Sequence, residues 1–90
     1  MTKPIPEQII RAACRWRGGV WSLPAPNRHH NVLTFMYEMM ANQRAGLEAE
    51  QGFLTDLGRF VDRVQALRVA RDAKQCEPDT RDELFSEDLW

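Results

Sequence analysis

Only two cysteines, Cys14 and Cys76, occur among 90 residues, and no CxxC-type spacing joins them. A disulfide-stapled scaffold is excluded, and an intracellular, reduced protein fits best. Uninterrupted apolar runs stop after a few residues, far short of the roughly 20 that cross a bilayer. The opening Met1-Thr2-Lys3-Pro4-Ile5-Pro6 lacks the apolar core of a signal peptide, so no membrane partner is expected. No P-loop, GxGxxG, GxSxG or HExxH string occurs. With five glycines, five prolines, 43% hydrophobic and 28% charged residues, collagen-like repeats and wholesale disorder are also excluded.

What is present suits one small domain with one core, spanning residues 1–90. Charge divides unevenly along it. Residues 1–76 carry eleven Lys/Arg against seven Asp/Glu, net +4, and residues 77–90 carry one Arg against six acids, net −5. A body of +4 is too weakly basic for strong duplex binding. The acidic tail is expected to be solvated or to lie on its own body's basic face.

The pattern predicts two hairpins and two helices. Residues 1–8 read as an extended leader. Residues 9–16 fit either a short helical face or a strand. At their end Cys14-Arg15-Trp16-Arg17 alternates as a half-buried strand does. Gly18-Gly19 reads as the turn of a hairpin over residues 13–23. Pro24-Ala25-Pro26 stops it, and Asn27 is the expected N-cap of a helix from Arg28 to about Gln43. Its apolar stripe is Val32, Met36, Met39 and Met40. Gly52–Thr55 and Arg59–Val61 read as strands around a tight turn with Gly58 late in it. Asp62 and Gln65 form a capping-box pair for a second helix to about Lys74, with Ala66, Leu67, Ala70 and Ala73 on one face. The predicted fold is α+β, in the order ββαββα, with helices packed on a largely antiparallel sheet. Residues 77–90 form an acidic-aromatic C-terminal arm.

Three strings carry a resemblance: Arg28-His29-His30, residues 52–63 (GFLTDLGRFVDR), and residues 84–90 (LFSEDLW). Together they resemble a group of small accessory proteins encoded by bacteriophages and prophages, of unassigned function. The resemblance implies action inside the host bacterial cytoplasm. It implies a non-catalytic role: binding and inhibiting or sequestering a host defence component, as anti-CRISPR proteins do. The expected partner is a host protein or nucleoprotein complex. An alternative is a sponge for a small anionic ligand such as a signalling nucleotide. A third class is a minor enzyme or a structural phage part.

Candidate residues follow from charge and position. Arg28, His29 and His30 lie on a first helical turn, where free N–H groups favour anions. With Arg59 and Arg63 they are the candidate anion or ligand site. The plainer reading bonds the arginines to local carboxylates or to the tail and packs His30 under a tryptophan. Leu84, Phe85, Leu89 and Trp90 are the candidate partner-binding anchors. Their alternative is fold-back onto the chain itself or onto a second copy in a homodimer. Cys14, Cys76, His29 and His30 have metal-ligating chemistry but not metal-ligating spacing, so no metal or other cofactor is expected. No residue pair stands out as a nucleophile and base, and no catalytic residue is assigned. Trp16, Trp21, Phe53 and Phe60, interleaved with Arg15, Arg17 and Arg59, admit a base-stacking reading. Core packing is the commoner use of such side chains.

Overall fold

Two hairpins set the sheet. The computed structural model describes residues 6–40, 48–76 and 82–90. Strands β1 (Ile9–Trp16) and β2 (Gly19–Ser22) precede helix α1 (His29–Met40). Strands β3 (Glu50–Thr55) and β4 (Phe60–Asp62) precede helix α2 (Arg63–Asp72), and a 3-10 turn occupies Ser86–Asp88. The strands form one antiparallel sheet in the order β2-β1-β3-β4. This is the expected ββαββα fold of the α+β class.

The first turn differs from expectation by one residue. Trp16 pairs with Gly19, so the two-residue loop is Arg17-Gly18, at φ 48° and 79°. Positive φ at both positions is what a type I′ turn requires. Arg17 carries a steric cost there, partly offset by its guanidinium lying 4.5 Å over the Trp16 ring. The resulting ladder ends at Ser22, short of Pro24, which has no N–H to give. Residues 9–16 resolve as strand, with a register irregularity between Ile9 and Arg11 that makes Ile10 an extra residue. That β-bulge breaks the period of two.

Helix α1 is capped differently from the prediction. It starts at His29, and the Asn31 side chain accepts from the Arg28 N–H at 2.9 Å. Asn27 instead donates from Nδ2 to the Pro24 carbonyl. The Arg28 carbonyl accepts from the Asn31 and Val32 N–H groups at 3.0 and 3.2 Å, which serves first-turn donors without an Asn27 side-chain cap. Val32 and Met36 are buried, whereas Met39 is 64% exposed. The predicted helix end near Gln43 lies outside the described residues, as do the first five residues of the leader and residues 77–81 of the arm.

Helix α2 has the predicted capping box. Asp62 Oδ1 accepts from the Gln65 N–H at 2.8 Å, and Gln65 Oε1 accepts from the Asp62 N–H at 3.2 Å. Asp62→Ala is expected to cost about 1 kcal/mol. Urea titration should show it as a lower midpoint at unchanged slope.

Both helices lie on one face of the sheet. Ala12 and Cys14, two apart on β1, point the same way. Ala12 joins Phe53, Val61, Ala66, Leu67 and Ala70 beneath α2, while Cys14 joins Val32 and Met36 beneath α1. The opposite face bears Arg11, Arg15, Leu54 and Phe60, as the pairings Arg11↔Leu54 and Leu54↔Phe60 require. No helix among the described residues covers it.

The C-terminal arm closes the α2 side. Leu84 is wholly buried in the α2 cluster, and its N–H donates to the Arg63 carbonyl at 3.0 Å. Leu89 and Trp90 pack against the same cluster.

Candidate functional site

The five candidate ligand residues sit in four different settings. His29 is buried at the start of α1. Its Nε2 is hydrogen-bonded with the Gly52 carbonyl oxygen at 2.7 Å, and its ring meets Phe53 edge-on at 5.0 Å. It ties α1 to β3. His30, the next residue, is exposed.

Arg28 and Arg63 both serve the arm. Arg28 Nε donates to the Trp90 backbone oxygen at 2.8 Å, while the Trp90 indole N–H donates to the Asn27 carbonyl at 2.8 Å. The Arg63 guanidinium lies 4.9 Å over the Phe85 ring and donates from Nη2 to Gln51 Oε1. An open hollow of about 460 Å³ adjoins it, lined by Arg63 with the carboxylate residues Glu50, Asp62 and Glu83. Three acids around one guanidinium make a poor seat for an anion.

Arg59 is engaged at the turn between β3 and β4. Its Nε and Nη2 grip both oxygens of Glu7, at 3.0 and 2.7 Å. These hydrogen bonds, with a third from the Thr55 side chain, hold the Glu7 carboxyl at about 2 against an ordinary 4.5. A carboxylate with a depressed pKa stabilises the fold fully above its unfolded value and loses that contribution as it protonates. The pair's support is therefore complete above pH 4.5 and fades as pH falls toward about 2. Denaturant titrations across this window should show that Glu7→Gln flattens part of the parent's acid destabilisation.

The other chemistry-bearing candidates are dispersed. Cys14 is buried beneath α1, and burial pushes its thiol up to about 11, which suits a small apolar side chain rather than a nucleophile. Cys76 packs at the edge of the α2 cluster. Among the described residues no group of three or more His, Cys, Asp or Glu is placed to hold a metal. The Asp62 carboxylate is engaged as the α2 cap. Of the aromatic set, Trp16 and Trp21 pack with the α1 cluster and Phe53 lies in the α2 cluster. Phe60 alone of the four lies on the helix-free face, with the Arg15 guanidinium 4.6 Å over its ring.

The arm anchors are likewise accounted for. Leu84 is core, and Leu89 and Trp90 pack on the chain's own cluster. Sequence reasoning missed Ile10, Arg11 and Leu54 on the helix-free face. The signal of Ile10 and Arg11 was masked because the bulge interrupts the alternation in β1.

The arm and both hairpins fall within one family match. The sequence model of the phage T4 y16D protein family matches residues 8–90. The chain belongs to that family. All three strings behind the phage resemblance lie inside the matched span of this y16D-family protein, so it is a small protein of a phage family. Neither the curated proteins nor the solved structures give a significant match. No helix among the described residues of the y16D-family chain is long and apolar enough to cross a membrane.

Proposed function

We propose that this phage protein is a non-catalytic accessory factor that binds, and thereby inhibits or sequesters, a protein component of host defence. The observation that carries this reading is the four-stranded sheet with both helices on one face and none, among the described residues, on the other. A broad, mixed polar and apolar face suits a protein partner, whereas small ligands are taken in concave sites.

The nucleotide-sponge alternative draws less support. Arg59 is paired with Glu7, His29 is tied to Gly52, and the hollow beside Arg63 is lined by three acids.

The test is expression of the chain in bacterial strains carrying different defence systems, followed by phage challenge. Plaquing should rise in at least one strain. Nucleotides screened by thermal shift should give no stabilisation, although a ligand at about 100 times its Kd would add about 2.7 kcal/mol. Unchanged plaquing in every strain, or a nucleotide that stabilises strongly, contradicts the proposal.

A further inference from the structure

We propose that the helix-free face docks a protein segment presenting a carboxylate beside a large apolar side chain, on a patch made by Ile10, Arg11, Leu54 and Phe60. This rests on the protein-binding reading above and names the surface and the partner's chemistry.

The bulge in β1 builds the patch. Ile9 and Ala12 are both buried in the α2 cluster, at 2% and 0% exposure. Three residues apart, they share a face only because Ile10 is inserted between the rungs Ile9↔Thr55 and Arg11↔Leu54. Ile10 and Arg11 therefore both turn to the helix-free side, and Ile10 is left 41% exposed. Bulges often re-aim side chains at functional places. Across the strands, Arg11, Leu54 and Phe60 form a continuous row.

Arg11 differs in its pairing from three other arginines near the sheet. Arg15 is bonded to Glu50, Arg59 to Glu7 and Arg63 to Gln51. The Arg11 side chain forms no hydrogen bond or ion pair with a described residue. The patch thus offers one uncompensated guanidinium flanked by apolar surface, whose complement is a carboxylate next to an apolar anchor. Arginine and aromatic residues in such a setting carry much of an interface's energy.

Phe60 is held in advance. Its ring lies so close over Gly52 that a Cβ there would come within 2.6 Å of Phe60 Cζ, and Arg15 covers it from another side. A side chain already fixed loses little freedom on binding. Single-stranded nucleic acid is the less favoured occupant. Phe60 is the one aromatic on this face among the described residues, and Arg15 already covers its ring, whereas base stackers expose successive aromatics.

The test is selection of a random-peptide library on the whole chain, counter-screened on Arg11→Gln. Enriched peptides should carry Asp or Glu beside Leu, Phe or Trp. In ¹⁵N-labelled protein they should shift the amides of Ile10, Arg11, Leu54 and Phe60. Arg11→Gln, with its spectrum otherwise intact, should weaken them about tenfold. The proposal is overturned by no enrichment, by peptides without acids, by equal binding to Arg11→Gln, by shifts elsewhere, or by oligothymidylate binding on this patch instead. The two readings fail separately. Peptides that meet these criteria on a chain that never raises plaquing would sink the defence reading alone. Raised plaquing that survives Arg11→Gln intact would sink the surface alone.

Discussion

Gly52→Ala should cost about 3 kcal/mol or more, the upper range for forcing atoms into a packed site. Strand β3 runs between β1 and β4, and at Gly52 the next strand comes unusually near. An added Cβ would lie 2.3 Å from the Val61 carbonyl oxygen and 2.6 Å from Phe60 Cζ. A ring can swing away, but the Val61 oxygen is backbone and belongs to the pairing Phe53↔Val61. Moving it would disturb β4 and the His29 hydrogen bond to Gly52. For a domain of this size each kcal/mol lowers Tm by about 4–8 °C, so calorimetry should find a drop above about 12 °C. Gly19→Ala is the control. Its nearest neighbour is the Trp16 carbonyl oxygen at 3.6 Å, an ordinary contact, and its change should stay within about 1 kcal/mol. Equal melting of the two variants would contradict the close approach.

Truncation after Glu83 should be the other severe change. Leu84 is wholly buried, and Leu89 and Trp90 pack on the same cluster. Burying side chains of this kind contributes roughly 1.5–3 kcal/mol each, against a total of about 5–15 kcal/mol for a typical domain. The truncated chain should bind hydrophobic dye and lose near-ultraviolet circular dichroism. Leu84→Ala alone should cost about 2–5 kcal/mol. Besides apolar packing, Arg28 on the Trp90 backbone oxygen, the Trp90 indole on Asn27, the Leu84 N–H on Arg63 and Arg63 over the Phe85 ring hold the arm. Arg15 and Arg59 are engaged away from the arm, with Glu50 and Glu7. A truncated protein that melts like the parent would contradict this role of the arm.

Local chemistry made much of the fold legible. The Asp62–Gln65 box, the turn at Gly58 and the small residues of α2 are all readable at short range, and each is present. Residues 9–12 were not readable. A bulge places Ile10 and Arg11 on one face and so erases the alternation that marks a strand. The arm's anchors were visible as apolar side chains among acids, but its seat depends on contacts more than fifty residues away, such as Trp90 with Asn27 and Arg28. The candidate ligand cluster was drawn from charge and helix position. Long-range partners engage Arg59 and His29, through Glu7 and Gly52, and sequence spacing carries no sign of either.

If the chain binds a defence component through its helix-free face, as we propose, its effect on phage growth must depend on that face. The most direct measurement compares phage plaquing on a defence-bearing strain expressing the parent chain or the double variant Ile10→Ser/Arg11→Gln. Both sites lie on the surface patch, and Ile10 is 41% exposed, so the variant should fold, as circular dichroism and melting will show. Plaquing should rise with the parent chain, and the folded variant should lose that effect. Raised plaquing with both, or with neither, would contradict the proposal.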